Sequence, residues 1–598
     1  MSYHKHSITV DRTPDGALVV TSNLTLGTVA HTTGNWVDDW SVRRPDQVFL
    51  AERSGAGWRS ITYSGLAQSV HALAAGLLGM GLQKGDRILC LSGASVNHGI
   101  LTLAAQYVGL VTVPLAEQYS LIPEARGKLH YAFQKVQPKL IYAESDAQYQ
   151  ASLNDPMFAA VPKLVSTRGN PAHLAFDDLV KGDTSIDVAA AHSAVQPDDM
   201  AKILFTSGST SNPKGVPQTH RMMCVNQSQY MACLPFLTQR PHVILDWLPW
   251  NHVFAGSSDF NMALATGGSL YLDDGKPVKG LFDRTLENIM LMPGTLALNV
   301  PVAYAMLVDA CRKDDALKQK FFGDLDMIFY AGASLPRDVW DALETMSREV
   351  SGKIPLMTSS WGMTETAPMA LIHHQGGATS GMIGVPAPKV SMKLLPNDGD
   401  RYELRVKGPN VITAYYDEPE KNKTAFDAQG YLITEDAVKF ADPDDLCQGV
   451  LFDGRISEDF KLLTGTWVQA GMLRMAVLKS LGDLAQDVVI TGADRMDLGI
   501  LVFPPAHRAT EDTRDGVVID PNYVTELTER LHIMAQNTKG SSQRIARAAI
   551  VATPPSIKDG EITAKGNLNN KLVLKLRSDI VEKLYAPNGQ RGYIVVTP

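Results

Sequence analysis

Short apolar runs alternate with longer segments of helical periodicity through the first two thirds of the chain. Residues 70–80 carry apolar side chains at three- and four-residue spacing, the mark of an amphipathic helix. The Lys84-Gly85-Asp86 turn then leads into a strand over 87–91, a helix over 96–107 and a strand over 110–113. The same rhythm returns at 140–143, 200–205, 243–248 and 325–330. Alternation of this kind builds a mainly parallel sheet covered by helices, an α/β fold. The apolar run 100–116 is interrupted by Gln106 and Tyr107. It reads as a buried helix entering a strand, not as a membrane span.

From about residue 384 the texture changes to short strands separated by Pro, Gly, Asn and Asp, which predicts a small β-rich lobe over 384–454. Phe452-Asp453-Gly454-Arg455 closes that stretch. With 598 residues the chain is too long for one compact core. The expected division is a large N-terminal domain, 1–454, and a smaller α+β C-terminal domain, 455–598. The net charge of −8 leaves no basic excess for nucleic acid. The five cysteines are scattered without a CxxC pair, and the first residues have no apolar core. Reduced thiols, a cytoplasmic location and no secretory signal are expected.

The most informative segment is ILFTSGSTSNPKGVPQTH. An apolar strand, Ile203-Leu204-Phe205, runs into Thr206, Ser207, Gly208, Ser209, Thr210, Ser211, Asn212, Pro213 and Lys214. Small residues let the backbone approach a polyphosphate, to which N–H groups and hydroxyls donate, while Lys214 supplies positive charge. A Ser/Gly surface loop would not need the apolar strand before it or the lysine after the proline. The GTPase-type loop does not fit, because no Ser or Thr follows Lys214.

This segment resembles the signature loop of the adenylate-forming superfamily of acyl-CoA synthetases, luciferases and peptide-synthetase adenylation domains, with Ser211 where that family usually has Gly. Further segments resemble the family's motifs in the same order. Leu248-Pro249-Trp250-Asn251-His252-Val253-Phe254-Ala255-Gly256 is similar to L-P-x-x-H-x-x-G, and the likeness places His252 and Phe254 on the acyl pocket beside the reacting carboxylate. Tyr330-Ala331-Gly332-Ala333-Ser334 is similar to the turn whose backbone lies against adenine and the acyl group. Trp361-Gly362-Met363-Thr364-Glu365 is similar to Y-G-x-T-E. The resemblance implies that Trp361 flanks adenine, that Thr364 hydrogen-bonds the α-phosphate and that Glu365 holds Mg²⁺. Tyr431–Asp436 resembles W/Y-x-x-T-G-D, with Asp436 accepting from the ribose hydroxyls and Glu435 replacing Gly. Gly454-Arg455 resembles the G-R pair, with Arg455 on ribose or phosphate and Ser457 at the position that serves as pivot.

Phe460-Lys461-Leu462-Leu463-Thr464-Gly465-Thr466-Trp467-Val468 is unlike most of the superfamily and looks like its feruloyl-CoA synthetase branch, in which Lys461 contacts the acid or phosphate. Thr563-Ala564-Lys565-Gly566-Asn567-Leu568-Asn569 resembles the same branch's T-x-K-G-x-[IL]-N, which makes Lys565 the adenylation lysine and Lys571 the alternative. The resemblance implies ATP, Mg²⁺ and coenzyme A as cofactor and substrates, a hydroxycinnamic acid as acyl donor, and a C-terminal domain that rotates between two half-reactions. It leaves a homodimer open. A fatty-acid or benzoate ligase, an enzyme that loads a carrier-protein thiol, and a nonenzymatic nucleotide or acyl-CoA sensor are the competing readings.

Overall fold

The structure, a computed structural model, describes residues 3–181, 185–206, 212–278, 280–332, 335–397, 399–505, 508, 510–538, 540–556, 559–562, 568–586 and 592–596, with Ser457 described through its backbone alone.

The strand–helix alternation gives the α/β architecture it predicts. In one sheet the strands run in the order Lys214–Thr219, Met200–Thr206, Val111–Pro114, Arg87–Cys90, Leu140–Ser145, Lys163–Thr167 and Leu174–Ala175. All neighbours are parallel except the first pair, an antiparallel hairpin that pairs Thr206 with Lys214. The helix Val96–Tyr107 is buried on every side, and Ser95 caps it by accepting from the His98 N–H at 3.0 Å. It packs on both this sheet and the next, which is why residues 100–116 are so continuously apolar. Among the described residues no helix is long and apolar enough to cross a membrane.

The larger sheet begins with parallel strands in the order Leu356–Gly362, Met327–Tyr330, Leu296–Asn299, Val243–Asp246, Ser269–Leu272 and Val48–Ser54. Beyond Leu356–Gly362 the pairing turns antiparallel through Met369–Ile372, Met382–Pro386, Val450–Arg455, Leu432–Phe440, Tyr402–Lys407 and Ser391–Pro396. The chain's first two strands, Ile8–Arg12 and Leu18–Ser22, complete this β-rich edge, with Val20 opposite Met392.

Residues after Phe460 build cores of their own. One contains Leu462, Leu473, Val477, Ile500 and Leu527, and another contains Val489, Leu501, Val551 and Leu584. A four-stranded sheet of Asp487–Thr491, Leu498–Phe503, Ile545–Ile550 and Tyr593–Val595 lies between them. One guanidinium joins the two parts. Arg401 pairs with Asp453 at 2.6 Å and with Asp459 at 2.9 Å, all three side chains nearly inaccessible. All five cysteines are unpaired.

Candidate active site

Open α/β sheets present ligands at the carboxyl ends of their strands, and the candidate segments leave those ends. Met200–Thr206 opens into the Ser/Thr/Gly loop, Val243–Asp246 into the His252 segment, Met327–Tyr330 into the Gly332 turn and Leu356–Gly362 into Thr364-Glu365. Glycine is required at two of these exits. Gly332 has φ 86°, which a side chain rarely adopts. At Gly362 a Cβ would lie 1.9 Å from the Pro368 carbonyl oxygen.

The phosphate-loop hairpin and the Thr364-Glu365 turn meet on one buried tyrosine. Tyr415 donates its hydroxyl to Glu365 Oε1 at 2.8 Å, and the Lys214 ammonium lies 5.5 Å from the centre of its ring. Burial and the Glu365 carboxylate push the phenol pKa up, so it stays a donor. Tyr416, next in sequence, donates its N–H to the Gly215 carbonyl at 2.9 Å, which fastens this segment to the loop's exit. Gln218 in the same hairpin gives its amide N–H to the Thr364 carbonyl at 3.1 Å.

The segment 252–259 is fastened to the same hairpin. Phe254 starts a π-helical turn, Phe254–Asp259, a geometry that recurs at functional sites. Its ring is buried, 5.7 Å from Phe329. The neighbouring His252 accepts from the Phe254 N–H at 3.3 Å. Gln218 also accepts from the Ser257 hydroxyl at 2.6 Å, and Lys202, its cross-strand partner, donates from a fully buried ammonium to the Gly256 carbonyl. Burial holds the Lys202 pKa down, at about 8. These two side chains tie the Met200–Thr206/Lys214–Thr219 hairpin to the Phe254–Asp259 turn.

At the Trp361 segment, the indole N–H donates to Asp436 Oδ2 at 2.9 Å, and Arg455, largely exposed, stands 3.6 Å from Asp436 Oδ1. Burial raises the Asp436 pKa to about 6, against the pull of Arg455 and the Trp361 bond. Glu435 sits at φ 61°, the left-handed backbone that the family's glycine suits. A Cβ there costs about 1–2 kcal/mol. Glu435 is exposed, so Glu435→Gly is expected to raise stability by about 0.5–1 kcal/mol after the extra chain entropy of glycine is subtracted. A higher urea midpoint checks this; a lower one contradicts it.

The structure pairs Thr206 with Lys214, links Lys214, Tyr415 and Glu365 with Thr364 alongside, places His252 against Phe254, and joins Trp361, which Gly362 and Met363 follow, to Asp436 and Arg455; Gly332 follows the carboxyl end of Met327–Tyr330. Lys461 does not join them. Its ammonium lies 4.9 Å from the Trp467 ring centre on the exposed hairpin Phe460–Lys461/Trp467–Val468, because the strand that carries it belongs to the C-terminal sheet-and-helix unit. Ser207, Gly208, Ser209, Thr210, Ser211, Ala333, Ser334 and Lys565 lie outside the described residues. Lys571 is exposed at the start of the helix Asn570–Leu576. Sequence reasoning missed Tyr415, Gln218 and Lys202. A lysine inside the apolar strand MAKILF and a glutamine inside the buried strand KGVPQT were the available signals for the last two.

Matches to family models define the class, an AMP-binding enzyme. Residues 37–416 match the AMP-binding enzyme family and residues 459–589 match the AMP-binding enzyme C-terminal domain. Similar proteins include a medium-chain fatty-acid–CoA ligase of Escherichia coli (strain K12), 26% identical over 66% of this chain and 67% of its own length. Another is 4-coumarate–CoA ligase 3 of Oryza sativa subsp. japonica, 25% identical over 65% and 69%. Among solved structures, the anthranilate CoA ligase AuaEII in complex with anthranoyl-AMP superposes with a TM-score of 0.73, at 16% identity, over 93% of this chain and 98% of that one. The chain belongs to the AMP-binding enzyme family and is an AMP-forming acid–thiol ligase of it.

Proposed function

We propose that the enzyme couples a hydroxycinnamic acid such as ferulate to coenzyme A in two half-reactions. In the first, a carboxylate oxygen of the acid attacks the α-phosphorus of ATP, the mixed anhydride acyl-AMP forms, and the bond to the β-phosphate breaks so that pyrophosphate leaves. In the second, the thiol attacks the acyl carbon and AMP leaves with the carboxylate oxygen that had attacked phosphorus.

The observation that carries the first step is the meeting of Lys214, Tyr415 and Glu365. It puts a cation and a carboxylate at the end of a segment whose sequence is rich in hydroxyl side chains and glycine. Thr206, Ser207, Thr210 and Lys214 hold the polyphosphate, and Thr364 donates to the α-phosphate. Glu365 with the Thr364 hydroxyl suits Mg²⁺, which keeps several waters and binds through one or two carboxylates plus substrate phosphates. Among the described residues no group of three or more His, Cys, Asp or Glu side chains could hold a metal by itself, in keeping with an ion that arrives with the nucleotide. When bound, that ion neutralises charge on the phosphates. Lys565 completes the site for adenylation by meeting the charge that develops on the phosphate and carboxylate oxygens.

For the second step the C-terminal unit turns about residues 455–457, withdraws Lys565 and opens a path for the thiol; a domain movement exchanges the charges that two different steps need at one carbon. His252, Phe254 and the Gly332 turn form the wall of the acyl pocket. The hydroxycinnamate assignment rests on the F-K-L-L-T-G-T-W-V and T-A-K-G-N-L-N segments, supported by the aromatic Phe254–Phe329 pair in that wall. Pyrophosphate release with ferulate, p-coumarate, benzoate and octanoate, with and without coenzyme A, tests it. The expected result is the highest kcat/KM on ferulate or p-coumarate, with thioester formed only when coenzyme A is present. Preference for octanoate or benzoate reassigns the acid. A thioester that forms only on a carrier protein reassigns the acceptor.

A further inference from the structure

We propose that Lys421 is a second cationic ligand for the polyphosphate of ATP, paired with Lys214 and directed at the β- and γ-phosphates that leave as pyrophosphate. This rests on the reading of the Lys214–Glu365 side as the phosphate site. The Tyr415 ring receives two ammonium groups: Lys214 at 5.5 Å and Lys421 at 4.9 Å from its centre. Lys421 is held there by its own loop. Asn422 accepts from the Tyr415 N–H at 2.7 Å and donates to the Tyr415 carbonyl at 3.1 Å, so the turn that carries Lys421 is pinned to the tyrosine.

The neighbouring carboxylates are engaged elsewhere. Glu418 is bound to Lys135, Glu420 is 2.6 Å from Lys423, and the Glu365 oxygen Oε1 takes the Tyr415 hydroxyl at 2.8 Å. Among the described residues neither Lys214 nor Lys421 has a carboxylate within 4 Å. Burial, and then the neighbouring Lys214, hold the Lys421 pKa down, at about 8. Two like charges brought to one aromatic ring at the exit of that loop repel each other, and an anion between them relieves the repulsion. A triphosphate tail, with its charge spread over many oxygens, is the anion this loop is built to meet. A monophosphate such as AMP ends short of it.

Calorimetric titration of the full-length enzyme and its Lys421→Met and Lys421→Arg variants with MgATP, magnesium pyrophosphate and AMP tests the assignment. Lys421→Met is expected to weaken MgATP and pyrophosphate roughly tenfold, the loss of one charge-assisted hydrogen bond, and to leave AMP within about twofold of the wild-type value. Lys421→Arg is expected to keep MgATP within about threefold, since the charge remains. Equal weakening of MgATP and AMP would mean that Lys421 only supports the loop, and unchanged MgATP affinity in Lys421→Met would remove it from the site; both overturn the proposal. A wild-type enzyme that binds no MgATP overturns the phosphate-site reading itself.

Discussion

Lys565→Ala is expected to lower acyl-AMP formation by roughly 10²–10³-fold, the scale of removing one preorganised group that meets charge in a transition state. The same variant is expected to make thioester from supplied acyl-AMP and coenzyme A at close to the wild-type rate. The split follows from the chemistry. Attack at the α-phosphorus gathers negative charge on phosphate and carboxylate oxygens, whereas thiol attack on an already activated acyl group needs no second cation at phosphorus. Single-turnover measurement of each half-reaction reads both numbers. Equal loss in both halves, or loss in neither, means the lysine is misassigned. Lys571, exposed at the start of the helix Asn570–Leu576, is then the residue to test.

Glu365→Gln is expected to cost at least about 10–100-fold in acid-dependent ATP–pyrophosphate exchange, since loss of even an outer partner of a metal site costs that much. It should also raise the Mg²⁺ concentration needed for half-maximal exchange. Glutamine preserves the size of the side chain and can still accept from Tyr415, which in the native protein donates to Glu365 at 2.8 Å. A large loss therefore reports the missing charge instead of a collapsed turn. Thr364→Ala removes one hydrogen bond to a charged phosphate and should cost about 10–100-fold. Intact exchange in both variants would remove the magnesium and phosphate roles from this turn.

The parts of this site that are legible in the sequence are those whose chemistry is local. A loop of Ser, Thr and Gly after an apolar strand reads directly as a phosphate cradle. The replacement of a glycine by Glu435 shows as a departure, and the structure places that residue at φ 61°. The parts that were not legible depend on contacts between distant segments. Tyr415 and Lys421 sit in an ordinary polar stretch, and their meaning comes only from the approach of Lys214, about two hundred residues earlier in the numbering. Gln218 and Lys202 look like interruptions of apolar strands until the π-helical turn at 254–259 and the Thr364 carbonyl arrive to bond them. In the fold, alternation predicts the parallel strands because each crossover is local. It does not predict that Leu18–Ser22 pairs with Ser391–Pro396, since no turn or spacing encodes a partner so far along the chain.

Arg401 carries a related lesson. Its guanidinium links Asp453 and Asp459, one on each side of the segment about which the C-terminal unit is proposed to turn. Removing one member of such a buried set leaves charge unpaired, a cost of about 3–5 kcal/mol. The rotation therefore has to keep this set together or replace its partners.

The path of one oxygen atom tests the central claim most directly. With both carboxylate oxygens of the acid labelled by ¹⁸O, complete turnover in the presence of ATP and coenzyme A should place one label atom in each AMP released, and none in pyrophosphate. Label in pyrophosphate, or AMP that carries none, would contradict attack by the acid at the α-phosphorus.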